Sequence, residues 1–224
     1  MRQNTSNGSE STSKKTFIRD QLRDDIVKGR YAPGEPISER AVAEGHAVSR
    51  IPVREALIEL ERDGLVSILP RRGAQVRSFS AENMRSLYQA REALEGMAAR
   101  LSAQRMRRDS LMSLRERIRD QIASDDDDMS ALSALGGEFH DTVIQGSRNS
   151  VIIEMSAGIA DRVTICKRLA YGGAPHDQAV LAGREHLAIA EAIDAGDADL
   201  AERRMRQHIA TWSDFLYVNM SGDH

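Results

Sequence analysis

The chain is short of the residues that mark several common protein designs. Its 224 residues include one cysteine, Cys166. An intramolecular disulfide is therefore excluded, and a reducing, cytoplasmic setting is expected. Aromatic residues make up only 4% of the chain, so the core must be built from Leu, Ile, Val, Ala and Met. No apolar run approaches the roughly 20 residues that a bilayer-spanning helix needs, and no membrane association is expected. Residues 1–15 are rich in Ser, Thr, Asn and Gly and lack the apolar centre of a signal peptide. Their composition predicts a disordered arm. A strong charge of one sign is also missing, since the formal net charge is -3. The charge is unevenly spread: residues 14–79 hold 13 Lys/Arg against 10 Asp/Glu, whereas residues 80–224 hold 17 against 23. A mildly basic front suits contact with nucleic acid, although so small a difference counts only beside a motif.

The motif is present. Phe17, Ile18, Leu22, Ile26 and Val27 recur at helical spacing and predict a first helix over 16–27. Pro33 and Pro36 mark a turn. Ser38 is a suitable N-cap for a short second helix. Gly45-His46-Ala47 gives a tight turn, and Ser49 can cap a third helix whose buried stripe is Val53, Ala56, Leu57 and Leu60. Pro52 is tolerated in its first turn. Arg50 and Arg54 lie one helical turn apart on this third helix and project from nearly one face, where they can reach phosphates or guanine edges in a major groove. Residues 65–69 and 74–78 have β-like composition and flank Pro70-Arg71-Arg72-Gly73, a hairpin signal with a basic tip. Three helices plus this hairpin predict a winged helix-turn-helix over 16–79.

Beyond Ser80 the pattern is helical throughout. Helices are predicted near 81–106, 110–123, 129–146, 150–171, 177–195 and 198–219. Together they form an antiparallel bundle of six or seven helices over 80–221, and the fold class is mainly α. Asp125 to Asp128 read as a solvated inter-helix loop, and Asp197 as the N-cap of the last helix. Met97, Met155 and Met205 read as core filler.

Several segments resemble the GntR family of bacterial transcription regulators, in the branch with a C-terminal all-helical FCD effector domain. In the front half they are Gly34-Glu35-Pro36-Ile37-Ser38-Glu39-Arg40, Val48-Ser49-Arg50-Ile51-Pro52-Val53-Arg54-Glu55-Ala56-Leu57, Asp63-Gly64-Leu65-Val66 and Pro70-Arg71-Arg72-Gly73-Ala74-Gln75-Val76. In the rear half they are Leu87-Tyr88-Gln89-Ala90-Arg91-Glu92-Ala93-Leu94-Glu95, Phe139-His140, Glu185-His186 and Gln207-His208. The resemblance implies a homodimeric, ligand-responsive regulator, in sign a repressor, that binds double-stranded DNA at a near-palindromic operator. Arg40, Arg50 and Arg54 would contact DNA, and Gly73 would set the wing tip in or along the minor groove. Ser49 is placed to donate to a phosphate near a helix N-terminus, and Arg71 and Arg72 to meet phosphates.

For the rear half the resemblance implies a divalent transition metal, Zn or Ni, held by His140, His186 and His208 on three helices. The family aspartate that completes such a site stands four residues before the first histidine, where this chain has Gly136. The ligand implied is a small carboxylate gripped by Arg91, with Arg162 as a second candidate. For Arg91, an i,i+4 pair with Glu95 remains open. Ile51 also departs from the family, which usually has Thr or another small polar residue there. The alternative reading of the three histidines is a metal-dependent hydrolase or lyase, since a catalytic zinc keeps three protein ligands and one open position.

Overall fold

The computed structural model describes residues 6–124, 129–171 and 176–221. The chain divides into two compact units, Met1–Ser80 and Ala81–His224. The first contains α1 (Ser6–Val27), β1 (Pro36–Ile37), α2 (Glu39–Gly45), α3 (Arg50–Arg62), β2 (Val66–Leu69) and β3 (Gly73–Val76). Ile18, Leu22 and Ile26 of α1 are buried, as are Val53, Ala56, Leu57 and Leu60 of α3, and the two stripes pack together. Burying one such aliphatic side chain is worth about 1.5–3 kcal/mol, so this packing fixes the exposed face of α3. The helix ends where expected. Gly64 takes φ +74, and Leu65 N–H donates to Leu60 O while Gly64 N–H donates to Glu61 O. This crossed pair at a left-handed residue stops the helix and launches β2.

Two features of this unit differ from the sequence expectation. The segment expected to be a disordered arm is helical from Ser6. Residues 6–15 are polar and lack an apolar stripe, so periodicity gives no signal there, but no proline interrupts them. The hairpin is also joined by a third strand. β1 pairs antiparallel with β3, giving the order β1-β3-β2. Two residues are too few to show alternation. Pro36 fits there because it sits on an edge strand, where no donor is required.

The second unit is all-helical among its described residues: α4 (Ala81–Arg105), α5 (Met112–Ala123), α6 (Met129–Gly146), α7 (Ser150–Tyr171), α8 (His176–Ala195) and α9 (Ala198–Ser221). α4 is the central helix and packs on α6, α7, α8 and α9. Gly96 permits a close approach to α9, because a Cβ there would lie 2.7 Å from Cγ of Arg206. α5 begins later than expected, after a turn in which Asp109 takes φ +75. Asp197 caps α9 as expected, with Leu200 N–H donating to its carboxylate. Met205 is core, whereas Met97 and Met155 are exposed and are not filler. The aspartate run Asp125 to Asp128 lies outside the described residues.

Candidate functional site

The first unit presents a basic groove between α2, α3 and the β2–β3 tip. Arg40, Arg50, Arg54, Arg71, Arg72 and Gly73 all line it. The tip depends on left-handed backbone at Gly73 (φ +81) and Arg71 (φ +63). Ser49 occupies the N-cap position of α3 but makes no side-chain cap bond; Ser38 does cap α2, accepting from Ala41 N–H at 3.2 Å. The Ser49 hydroxyl is therefore not committed to the helix end. Arg50 and Arg54 are about two-thirds exposed and converge on one carboxylate, Glu39 of α2, at 3.1 and 3.3 Å. Arg40 pairs instead with Glu44. Ile51 is exposed on the outer face of α3, where an apolar side chain can meet a thymine methyl.

Glu39 was not singled out from the sequence. It is eleven and fifteen residues from its partners, beyond the reach of a helical-spacing argument, but as the first residue of α2 its carboxylate draws both guanidinium groups to one place. Glu39→Gln is expected to lower discrimination between operator and random DNA by up to about fivefold, the scale of exposed ion pairs. Affinity for random DNA should rise at the same time, because a negative charge leaves the groove. Competition binding with both DNAs checks this; a proportional loss on both would show no positioning role.

In the second unit α6, α8 and α9 bring His140, His186 and His208 together. All three rings are buried. Nε2 of His186 lies 3.3 Å from Nε2 of His140 and 3.2 Å from Nε2 of His208. The far nitrogens face carboxylates: Nδ1 of His140 is 2.5 Å from Glu95 and Nδ1 of His208 is 2.7 Å from Glu185. A carboxylate at Nδ1 fixes the tautomer that leaves the Nε2 lone pair free for a metal. Burial pushes all three imidazoles below their ordinary range, His140 to about 3, so the neutral, ligating form prevails at pH 7. This donor set fits Zn(II) or Ni(II). A Cβ at Gly136 would meet Cε1 of His186 at 3.0 Å. The glycine thus makes room for that ring where the family aspartate would stand. Neither Glu95 nor Glu185 was foreseen as a partner of the histidines. The Glu185-His186 adjacency was visible, but its cross-helix target, His208, was not.

A half-open pocket of about 210 Å³ adjoins the cluster, lined by Arg91, Glu95, His140, Ser156 and Lys167 among others. Arg91 both lines it and pairs with Glu95 at 2.6 Å, so the i,i+4 pair does not take the guanidinium out of the pocket wall. The paired guanidinium and the His140 ring keep the Glu95 carboxyl well below its usual range despite burial. Arg162 does not line the pocket; it donates to Gly158 O on its own helix. Lys167 was missed. It falls on the same face of α7 as Val163 and Ser156, so helical spacing could have found it. Burial and the Arg91 charge pull its ammonium down to about 7.

Two family models match, "Bacterial regulatory proteins, gntR family" over residues 14–76 and "FCD domain" over residues 86–211. The second covers more than half of the chain. This chain belongs to the GntR family and carries an FCD domain. It is 31% identical to the HTH-type transcriptional repressor RspR of Escherichia coli K12, over 84% of this chain and 82% of that one. Its fold matches a GntR transcriptional regulator from Rhodococcus sp. RHA1, with TM-score 0.73, 22% identity and coverage of 91% and 97%. The Zn2+-bound FCD domain of TM0439 matches with TM-score 0.54 and 19% identity, over 64% of this chain and 98% of that one. GntR-family members are DNA-binding transcription regulators, not enzymes, which sets aside a three-histidine hydrolase or lyase. Among the described residues no helix is long and apolar enough to cross a membrane.

Proposed function

We propose that this GntR-family regulator is a homodimeric repressor released from a near-palindromic operator by a small organic acid. The observation that carries the reading is the presence in one chain of two separate devices. One is an exposed arginine pair on a recognition helix, and the other is a cluster of three buried imidazoles beside a half-open pocket lined by Arg91 and His140. Arg50 and Arg54 read base edges, and Ile51 lies beside them. Arg40, Ser49, Arg71 and Arg72 hold phosphates, while Gly73 shapes the wing. Phosphate contacts supply affinity and base contacts supply sequence reading. A two-fold dimer requires a matching two-fold operator, with one winged helix per half-site. The repressor sign is supported by the name of the E. coli relative.

In the FCD domain His140, His186 and His208 would hold the metal, which when bound supplies a Lewis-acid centre for a ligand oxygen. Arg91 contributes the guanidinium nitrogens not engaged by Glu95, a geometry suited to carboxylates. Release requires the acid to bind the DNA-free state more tightly than the DNA-bound state. Nuclease footprinting together with sedimentation of the protein–DNA complex tests the assembly. Two protomers over a two-fold-symmetric protected site are expected, and one protomer on an asymmetric site would contradict the proposal.

A further inference from the structure

The pocket beside the histidines carries polar groups that the described residues leave unsatisfied. The Ser156 hydroxyl is buried without a hydrogen-bond partner. Lys167 makes no hydrogen bond or ion pair among the described residues, and Asp141 at the exposed rim makes none either. Arg91 faces the same space with its Nε already given to Glu95. The remaining walls are apolar, including Ile144, Ile153, Ile159 and Val163.

Each feature narrows the ligand. At roughly 30 Å³ per water of liquid volume, the space holds the equivalent of about seven waters. That suits a ligand, or the enclosed part of one, of about seven to ten non-hydrogen atoms. Lys167 and Arg91 call for one anionic head group. A plain alkanoic acid satisfies them but leaves the Ser156 hydroxyl buried and unpaired, which is costly. A dicarboxylate brings its second charge against Asp141 and Glu95, and like charges in a partly desolvated site repel. An acid that also carries hydroxyl or ammonium donors meets every group.

We infer that this pocket takes a short hydroxy or amino monocarboxylic acid, its carboxylate held by Lys167 together with Arg91 and its donor groups by Ser156 and Asp141. The inference rests on the acid-effector reading above and specifies its ligand class and its second cation.

Calorimetric titration of the purified full chain with glycerate, erythronate and serine, beside butanoate and glutarate, tests it. At least one of the first three should bind about tenfold more tightly than either control. Lys167→Gln should weaken that binding about tenfold or more, the scale of a charge-assisted hydrogen bond, whereas Lys167→Arg should retain most of it. Ser156→Ala should cost a smaller, several-fold loss. Circular dichroism and the unliganded melting curve establish that each variant is folded. Equal binding of butanoate or glutarate, or unchanged binding in folded Lys167→Gln, overturns the inference while leaving a carboxylate effector intact. If none of the five acids binds, the inference and the acid-effector reading fall together.

Discussion

Replacing Arg50 and Arg54 together by alanine should weaken operator binding by roughly 30-fold to 25,000-fold, because each arginine that reads a guanine edge is worth about 1–3 kcal/mol of discrimination. Both side chains are about two-thirds exposed and neither belongs to the packing between α1 and α3. Their loss should leave the winged helix folded, with a stability change of no more than about 1 kcal/mol from the broken pairs with Glu39. Affinity for random DNA should fall much less, since Arg40, Arg71 and Arg72, the proposed phosphate contacts, remain. The quantity to follow is therefore the ratio of operator to random-DNA affinity, with the salt dependence of each. A loss of operator affinity with an unchanged ratio would mean that the two arginines bind phosphates only. The salt slope would then fall by about 0.9 for each phosphate no longer neutralised. Unchanged operator affinity would remove them from the interface.

Zinc added to metal-free protein at about 100 times its dissociation constant should stabilise the fold by about 2.7 kcal/mol, a rise in melting temperature of about 5–10 °C for a chain of this size. His186→Ala should abolish that rise, because His186 is the residue whose Nε2 lies close to both other Nε2 atoms. Glu95→Gln should weaken metal binding about 10- to 100-fold by loosening the His140 ring. The same burial makes the metal-free protein acid-labile. An unfolded histidine titrates near 6.5, whereas all three folded histidines are held neutral to lower pH, His140 to about 3. Below about pH 6.5 the unfolded chain therefore binds more protons than the native one, and stability falls as pH falls. With three such groups the slope approaches about 4 kcal/mol per pH unit. Above about pH 7 this histidine contribution disappears. Below about pH 4.5 Glu95, whose folded carboxyl is held low, adds a loss of the same sign. A melting temperature flat between pH 7 and 5 in metal-free protein, or a zinc response that survives His186→Ala, would contradict this picture.

Much of this was legible in the sequence, for identifiable reasons. The helix-turn-helix announced itself because capping residues, a Gly stop and an apolar stripe agree within fifty residues. Helix limits in the FCD domain followed from Gly and Asp breaks, and Gly196, at φ +74 with Asp197 N–H donating to Ala192 O, ends α8 where composition placed the break. The histidine triad was legible only through family resemblance, since spacings of 46 and 22 residues carry no periodic signal. What stayed hidden is what depends on tertiary neighbours. Glu39 bridging two arginines, Glu95 joining Arg91 to His140, and Lys167 entering the pocket are contacts between elements. Arg162 shows the converse: a basic residue on α7 whose position along the helix turns it away from the pocket while Lys167 faces in.

The most direct test of a ligand-released DNA-binding regulator is fluorescence anisotropy of the purified protein on DNA from upstream of its own gene, with random-sequence competitor and then added acid. The expected result is salt-sensitive binding that survives the competitor and is reversed by a short hydroxy or amino acid, with the reversal lost in Arg91→Ala. Binding that the competitor removes completely at low salt would contradict the account.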